Sequence, residues 1–136
     1  MLDDIPRAMP ALLEATKLGS RAAKVGFDWP DTAGLFEKLH EEIGELKAEI
    51  QTDQPGAHAR IEEELGDLLF TAVNLARHLK LDPESALRSA NAKFRQRFNA
   101  MEAAAGGREG LKVRSAVELE ALWSQAKQRE TKDGSA

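Results

Sequence analysis

The sequence predicts an all-α domain, on three observations. Strand signals are almost absent: there is no tyrosine, and no stretch of useful length alternates apolar with polar residues. Asp, Ser, Pro and Gly stand where helices start and stop. Between those marks, apolar residues recur at helical spacing. The chain has 136 residues, enough for one domain with a real core and too few for two ordinary ones. A bundle of about five helices is expected, over residues 1–130.

The first helix is expected within Pro10–Val25, with Gly19 as its weak point. Gly26-Phe27-Asp28-Trp29-Pro30 is a turn, because Pro30 disfavours helix at Trp29. Asp31 can cap a second helix reaching about Ile50, and Thr52-Asp53-Gln54-Pro55-Gly56 breaks it. A third helix follows from Ala57 to about Leu79. Asp82 as N-cap and Pro83 at the first helical position open a fourth, reaching about Ala104. Gly106-Gly107-Arg108-Glu109-Gly110 is expected to be a flexible loop. Ser115-Ala116-Val117-Glu118 has the capping-box pattern and opens a last helix through Lys127. Residues 131–136 are expected to form a disordered tail.

Composition excludes several functions. There is no cysteine, so disulfides, thiolate zinc sites and cysteine nucleophiles are ruled out. No apolar run approaches the roughly 20 residues of a membrane span. The start, Met1-Leu2-Asp3-Asp4, lacks a signal-peptide pattern, and a cytoplasmic location is expected. A net charge of −4 argues against nonspecific nucleic-acid binding. The charge is uneven: Glu37 to Asp67 holds ten acids and three Lys/Arg, net −7, whereas Arg77 to Arg114 holds nine Lys/Arg and four acids, net +5. Taken alone, this imbalance favours solvated helix faces over a site for metal-chelated phosphate.

The acids carry the sharper signal. Glu42 and Glu45 are three residues apart, as are Glu64 and Asp67, so each pair lies on one helix face. In the second helix, Leu35, Leu39, Ile43, Leu46 and Ile50 form one apolar stripe. Glu42 lies about 60° from its centre and Glu45 about 120°, while Glu41 looks outward. The third helix is apolar over most of its circumference, and Leu68-Leu69-Phe70 should be buried. Its polar strip holds Glu64, Asp67, Thr71, Asn74 and His78. In an antiparallel hairpin the two acidic pairs would converge on one ion or two. Oxygen ligands suit a hard divalent cation, Mg²⁺ or Mn²⁺. A solvated acidic face remains the alternative, but two pairs flanking one short connection favour the ion. Zinc and di-iron fit poorly, because the only histidines are His40, His58 and His78 and only one Glu-x-x-His, Glu37 to His40, occurs.

In the fourth helix, Lys93 and Arg97 are four residues apart and flank the stripe of Leu87, Ala90, Phe94, Phe98 and Met101. They suit a phosphate clamp. On their own, snorkelling with solvated heads is the favoured reading. Trp123 could stack a nucleobase, though the pattern alone favours a core role.

Several stretches together resemble the MazG nucleoside triphosphate pyrophosphohydrolases. They are Val25-Gly26-Phe27-Asp28-Trp29, Glu41-Glu42-Ile43-Gly44-Glu45, Glu62-Glu63-Glu64-Leu65-Gly66-Asp67, Val73 to His78, Ala90-Asn91-Ala92-Lys93-Phe94 with Arg97-Phe98, and Leu122-Trp123 with Lys127. The resemblance spans about Ile5 to Gln128. It implies an all-α bundle whose four-helix packing is completed in a homodimer. It implies Mg²⁺-dependent hydrolysis of a nucleoside triphosphate to the monophosphate and pyrophosphate, with Mn²⁺ a substitute and house-cleaning of unwanted nucleotides a role. Carried over by residue, Glu42, Glu45, Glu64 and Asp67 are similar to the metal ligands. Lys93 and Arg97 correspond to triphosphate contacts and Trp123 to the base-stacking position, with Lys38, Arg60 and Asn91 as further contacts. The best-known members carry two tandem copies; this chain has one and most resembles their C-terminal, catalytic half. The alternatives are an all-α hydrolase restricted to dUTP or a modified nucleotide, and a catalytically silent metal-binding interaction module.

Overall fold

A computed structural model describes residues 1–134. Among these there are six helices and no strand, so the all-α expectation holds. The chain divides into two compact units, Met1–Ala86 and the residues from Leu87 onward.

The first unit contains α1 (Ala11–Ala23), α2 (Thr32–Gln51), α3 (Ala57–His78) and the opening turn of α4 (Pro83–Ala105). Asp31 caps α2 by accepting a hydrogen bond from the Gly34 amide at 2.9 Å. The connection from Thr52 to Gly56 is too short for anything but a hairpin, and α2 packs along α3. Arg60 crosses the closed end, donating to Glu49 Oε2 at 2.9 Å and to the Pro55 carbonyl at 3.3 Å.

The other face of α3 meets α1. Gly19 makes that contact close: a Cβ there would collide with Asn74 Oδ1. The glycine therefore serves helix crossing, and α1 runs through it unbroken, against the expected weak point. Ile5, Leu35 and Val73 are the buried apolar side chains of this unit.

The expected burial of Leu68-Leu69-Phe70 is corrected. Leu68 is half-buried, but Leu69 is 52% exposed and Phe70 38%, and Leu65, Phe36, Ile43 and Ile50 are exposed as well. The hairpin has more apolar circumference than α1 can cover.

The second unit holds the rest of α4, then α5 (Arg108–Lys112) and α6 (Ala116–Asp133). Helix α5 stands where the sequence suggested a flexible loop. It turns so tightly that a Cβ on Gly110 would overlap the Ala105 carbonyl, so glycine here permits structure instead of preventing it. The capping box at Ser115 and Glu118 forms in both directions, at 3.2 and 2.7 Å. Helix α6 continues past Lys127, so Thr131, Lys132 and Asp133 of the expected tail are helical; Ser135 and Ala136 lie outside the described residues. Met101, Ala105 and Ala126 are buried, and Phe94 packs against Phe98 and Trp123 with ring centroids 6.0 and 5.3 Å apart.

Candidate functional site

The hairpin runs antiparallel, so residues early in α3 lie beside residues late in α2. Glu49 meets Arg60. Glu45 lies within hydrogen-bonding reach of Glu64, and Glu42 comes beside Glu64 and Asp67. One carboxylate oxygen from each of Glu42, Glu64 and Asp67 lies within 4.8 Å of the other two. The four acids read from the sequence thus converge on one side of one helix pair. A second triad of the same closeness joins Glu41, Glu42 and Glu45. Helix angles set Glu41 aside as outward-looking; its side chain is indeed exposed, yet an oxygen still reaches the cluster.

Burial makes this more than an acidic surface. Glu42 is 3% exposed. Its Oε1 pairs with Lys38 Nζ at 2.8 Å, but its Oε2 is buried with no hydrogen-bond donor among the described residues, as is Oε2 of Glu64. An unsatisfied buried oxygen such as that of Glu42 costs about 1–3 kcal/mol. Burial raises the Glu64 carboxyl above its ordinary range, and the neighbouring Glu45, Glu42 and Asp67 push it the same way. The gathered carboxylates outnumber the one ammonium that meets them, Lys38, and all-oxygen donors fit a hard divalent cation. The donor set therefore fits the metal that the resemblance implies.

Lys38 is drawn into this cluster. It bridges Glu42 and Glu41, at 2.8 and 3.2 Å, and both hydrogen bonds hold its ammonium above the usual lysine range. Arg60, the other further phosphate contact suggested by sequence, is engaged by Glu49. Asn91 is exposed and lines a shallow depression with Phe94, Arg95, Phe98 and Asn99.

In the second unit, Lys93 is exposed, one turn before Arg97. Arg97 is held: its Nε and Nη2 both reach Glu130 Oε2 at 2.8 Å, and its guanidinium carbon lies 5.9 Å from the centre of a Trp123 ring. Trp123 is half-buried, with Phe94 against it.

Two features escaped the sequence reading. One is Glu130, which lies beyond the Lys127 at which the last helix was expected to end. The other is a network at the far end of α3. Arg77 donates to both Asp28 oxygens, at 3.0 and 2.6 Å, and His78 Nε2 lies 2.9 Å from Asp28 Oδ1. Arg77 also donates to Asn74 Oδ1 at 3.1 Å, while the fully buried Asn74 donates to the Phe70 carbonyl at 3.0 Å. Arg77, and secondarily His78, hold the Asp28 carboxyl well below the usual carboxylate range. This network pins the turn before α2 onto α3 and borders a largely apolar cavity of about 610 Å³ that Phe27, Trp29, Pro30 and Phe70 help to line. Partners about fifty positions apart leave no local period from which to find them.

Residues 31–101 match the MazG nucleotide pyrophosphohydrolase domain. The chain is similar to the Escherichia coli (strain K12) protein named nucleoside triphosphate pyrophosphohydrolase, 46% identical over 135 residues, which cover 95% of this chain and 49% of that protein. It is 48% identical over 101 residues to the Thermotoga maritima nucleoside triphosphate pyrophosphohydrolase/pyrophosphatase MazG, covering 74% of this chain and 37% of that one. A Bacillus subtilis protein, YabN, is 42% identical over 132 residues, 96% of this chain and 26% of its own length. The chain therefore spans about half the length of the first of these relatives, and less of the others.

Proposed function

The chain belongs to the MazG nucleotide pyrophosphohydrolase family, and on that premise we propose that it hydrolyses nucleoside triphosphates to the monophosphate and pyrophosphate. Residues 1–130 act as one hydrolase domain, and excess or non-standard nucleotides are the natural substrates. The observation that carries this reading is Glu42, buried beside Glu64 and Asp67 with an oxygen that no described residue satisfies. Glu42, Glu45, Glu64 and Asp67 hold Mg²⁺, with Mn²⁺ as a substitute. When bound, such an ion neutralises phosphate charge and makes water more acidic.

The chain's own residues do the rest. Lys93 and Arg97 bind triphosphate oxygens and stabilise the charge that builds up on the departing pyrophosphate. Trp123 stacks the base, and Asn91 adds a polar contact at the edge. Lys38 and Arg60, already engaged with Glu42 and Glu49, orient those acids and can reach phosphate by exchanging partners.

The active form is a homodimer in a cytoplasm where nucleoside triphosphates are made. Exposed Leu65, Leu69 and Phe70 on α3, with Phe36 and Ile43 on α2, support a second copy as their cover. No helix among the described residues is long and apolar enough to cross a membrane. A sedimentation mass equal to one chain, 14.9 kDa, would remove the dimer.

Incubation with common and modified triphosphates plus Mg²⁺ tests the reaction. Monophosphate and pyrophosphate are expected in equal amounts. Orthophosphate with the diphosphate would place cleavage at the wrong bond, and no product from any triphosphate would end the enzymatic reading.

A further inference from the structure

We propose that Glu130 is a positioning residue that presents Arg97 to the triphosphate; this deepens the function proposed above and rests on it. The guanidinium is a planar fork with five N–H donors. Glu130 Oε2 sits on the side edge, accepting a hydrogen bond from Nε at 2.8 Å and forming an ion pair with Nη2 at 2.8 Å. The opposite end of the fork, two hydrogens on Nη1 and one on Nη2, has no partner among the described residues. That free end has one hydrogen on each Nη directed forward, the arrangement that grips two phosphate oxygens at once. Glu130 therefore fixes the side chain without occupying its phosphate-binding edge.

Two further observations support positioning over a surface ion pair. Both side chains are largely covered, Arg97 at 19% and Glu130 at 25% exposure. Glu130 Oε1 is buried with no donor, so Arg97 is the carboxylate's only partner among the described residues. The desolvation of such a covered pair can exceed its electrostatic gain, so stability is weak ground for it. The Trp123 ring closes the remaining side, its centre 5.9 Å from the guanidinium carbon. Arg97 is thus held by a carboxylate on one edge and an aromatic ring beside it, both from α6. An arginine already ordered loses less entropy when phosphate arrives.

The test is a double-mutant cycle on the full chain. Titration calorimetry would measure binding of the α,β-imido analogues of ATP and dUTP with Mg²⁺ to four proteins: wild type, Glu130→Gln, Arg97→Ala and the double variant. Glu130→Gln should weaken binding about three- to tenfold, the cost of one unfixed side chain. In pyrophosphate release it should raise KM and lower kcat together, because Arg97 holds the bound triphosphate and stabilises charge on the departing pyrophosphate. The double variant should bind no more weakly than Arg97→Ala, since Glu130 acts only through Arg97.

Unchanged or tighter binding by Glu130→Gln overturns the proposal, as do losses that multiply in the double variant. If Glu130→Gln does not fold, Glu130→Asp, one methylene shorter, carries the same comparison. Wild type that binds the analogues yet releases no pyrophosphate refutes the reaction, and the cycle is then decided on binding. Wild type that does neither refutes both.

Discussion

Helix α3 carries two polar clusters, and they are opposites. At its far end Arg77 and His78 meet Asp28, and Asn74 accepts from Arg77, with charges of both signs and hydrogen bonds in place. Nearer its start Glu64 and Asp67 meet Glu42 and Glu45 with one sign predominating, and two carboxylate oxygens are buried without donors. One end is electrostatically complete and the other is not. A complete cluster spends its charges on holding the fold together. An incomplete one destabilises the chain until something binds, which is why the unsatisfied end is the one we propose as the site. The contrast predicts that damage at the two ends will separate activity from stability.

The largest effect should come from the incomplete end. Glu64→Gln or Glu42→Gln removes a ligand and should lower pyrophosphate release by about a hundredfold or more. Either change also relieves like-charge crowding, so without divalent ions the variant should melt no lower than wild type. Mg²⁺ should raise the melting temperature of wild type by mass action and shift the Gln variants little. Thermal melts with and without Mg²⁺ check both statements. A wild-type melt indifferent to Mg²⁺ would mean that the acid cluster holds no such ion.

Asp28→Asn should show the reverse pattern. Losing charge-assisted hydrogen bonds to Arg77 costs about 2 kcal/mol at neutral pH. Activity well below the melting temperature should fall far less than in the acid variants. The pH dependence has a definite sign. The folded-state pKa of Asp28 is depressed by Arg77 and His78, so its stabilisation is present above the unfolded-state value of about 3.9. It is lost as pH falls below that value toward the folded one. Denaturant midpoints of wild type and Asp28→Asn should therefore differ at pH 7 and converge in acid. A constant gap across that window would mean that the aspartate charge is not what holds the turn.

The two ends also differ in how well they could be read. Glu42, Glu45, Glu64 and Asp67 were legible because helical period places them on shared faces and the five-residue connection from Thr52 to Gly56 forces the hairpin. Asp28 and Arg77 were not, since a contact between a turn and a distant helix writes no spacing into the chain. Glycine misled twice. At Gly19 it makes room for the Asn74 side chain and at Gly110 for the Ala105 carbonyl, yet in sequence it looks the same as a weak point or a loop. The apolar circumference of α3 was legible as a surface needing cover, but Leu69 and Phe70 are exposed in the single chain. Composition says that a face is apolar and not what covers it.

Glu41 tests the principle at its margin and should show the smallest effect. It belongs to a triad with Glu42 and Glu45 that, like the triad of Glu42, Glu64 and Asp67, has one oxygen from each acid within 4.8 Å of the others. Proximity alone would rank the two equally. Burial does not: Glu41 is exposed and paired with Lys38, whereas Glu42 is buried. Water and a lysine already solvate it, so removing its charge should change little. Glu41→Gln is expected to lower pyrophosphate release by less than about tenfold, within the range of a surface ion pair acting on a neighbouring ligand. Its Mg²⁺ dependence should match that of wild type. A loss as deep as that of Glu64→Gln, with weaker Mg²⁺ dependence, would move the ion toward α2 and make closeness a better guide than unsatisfied burial.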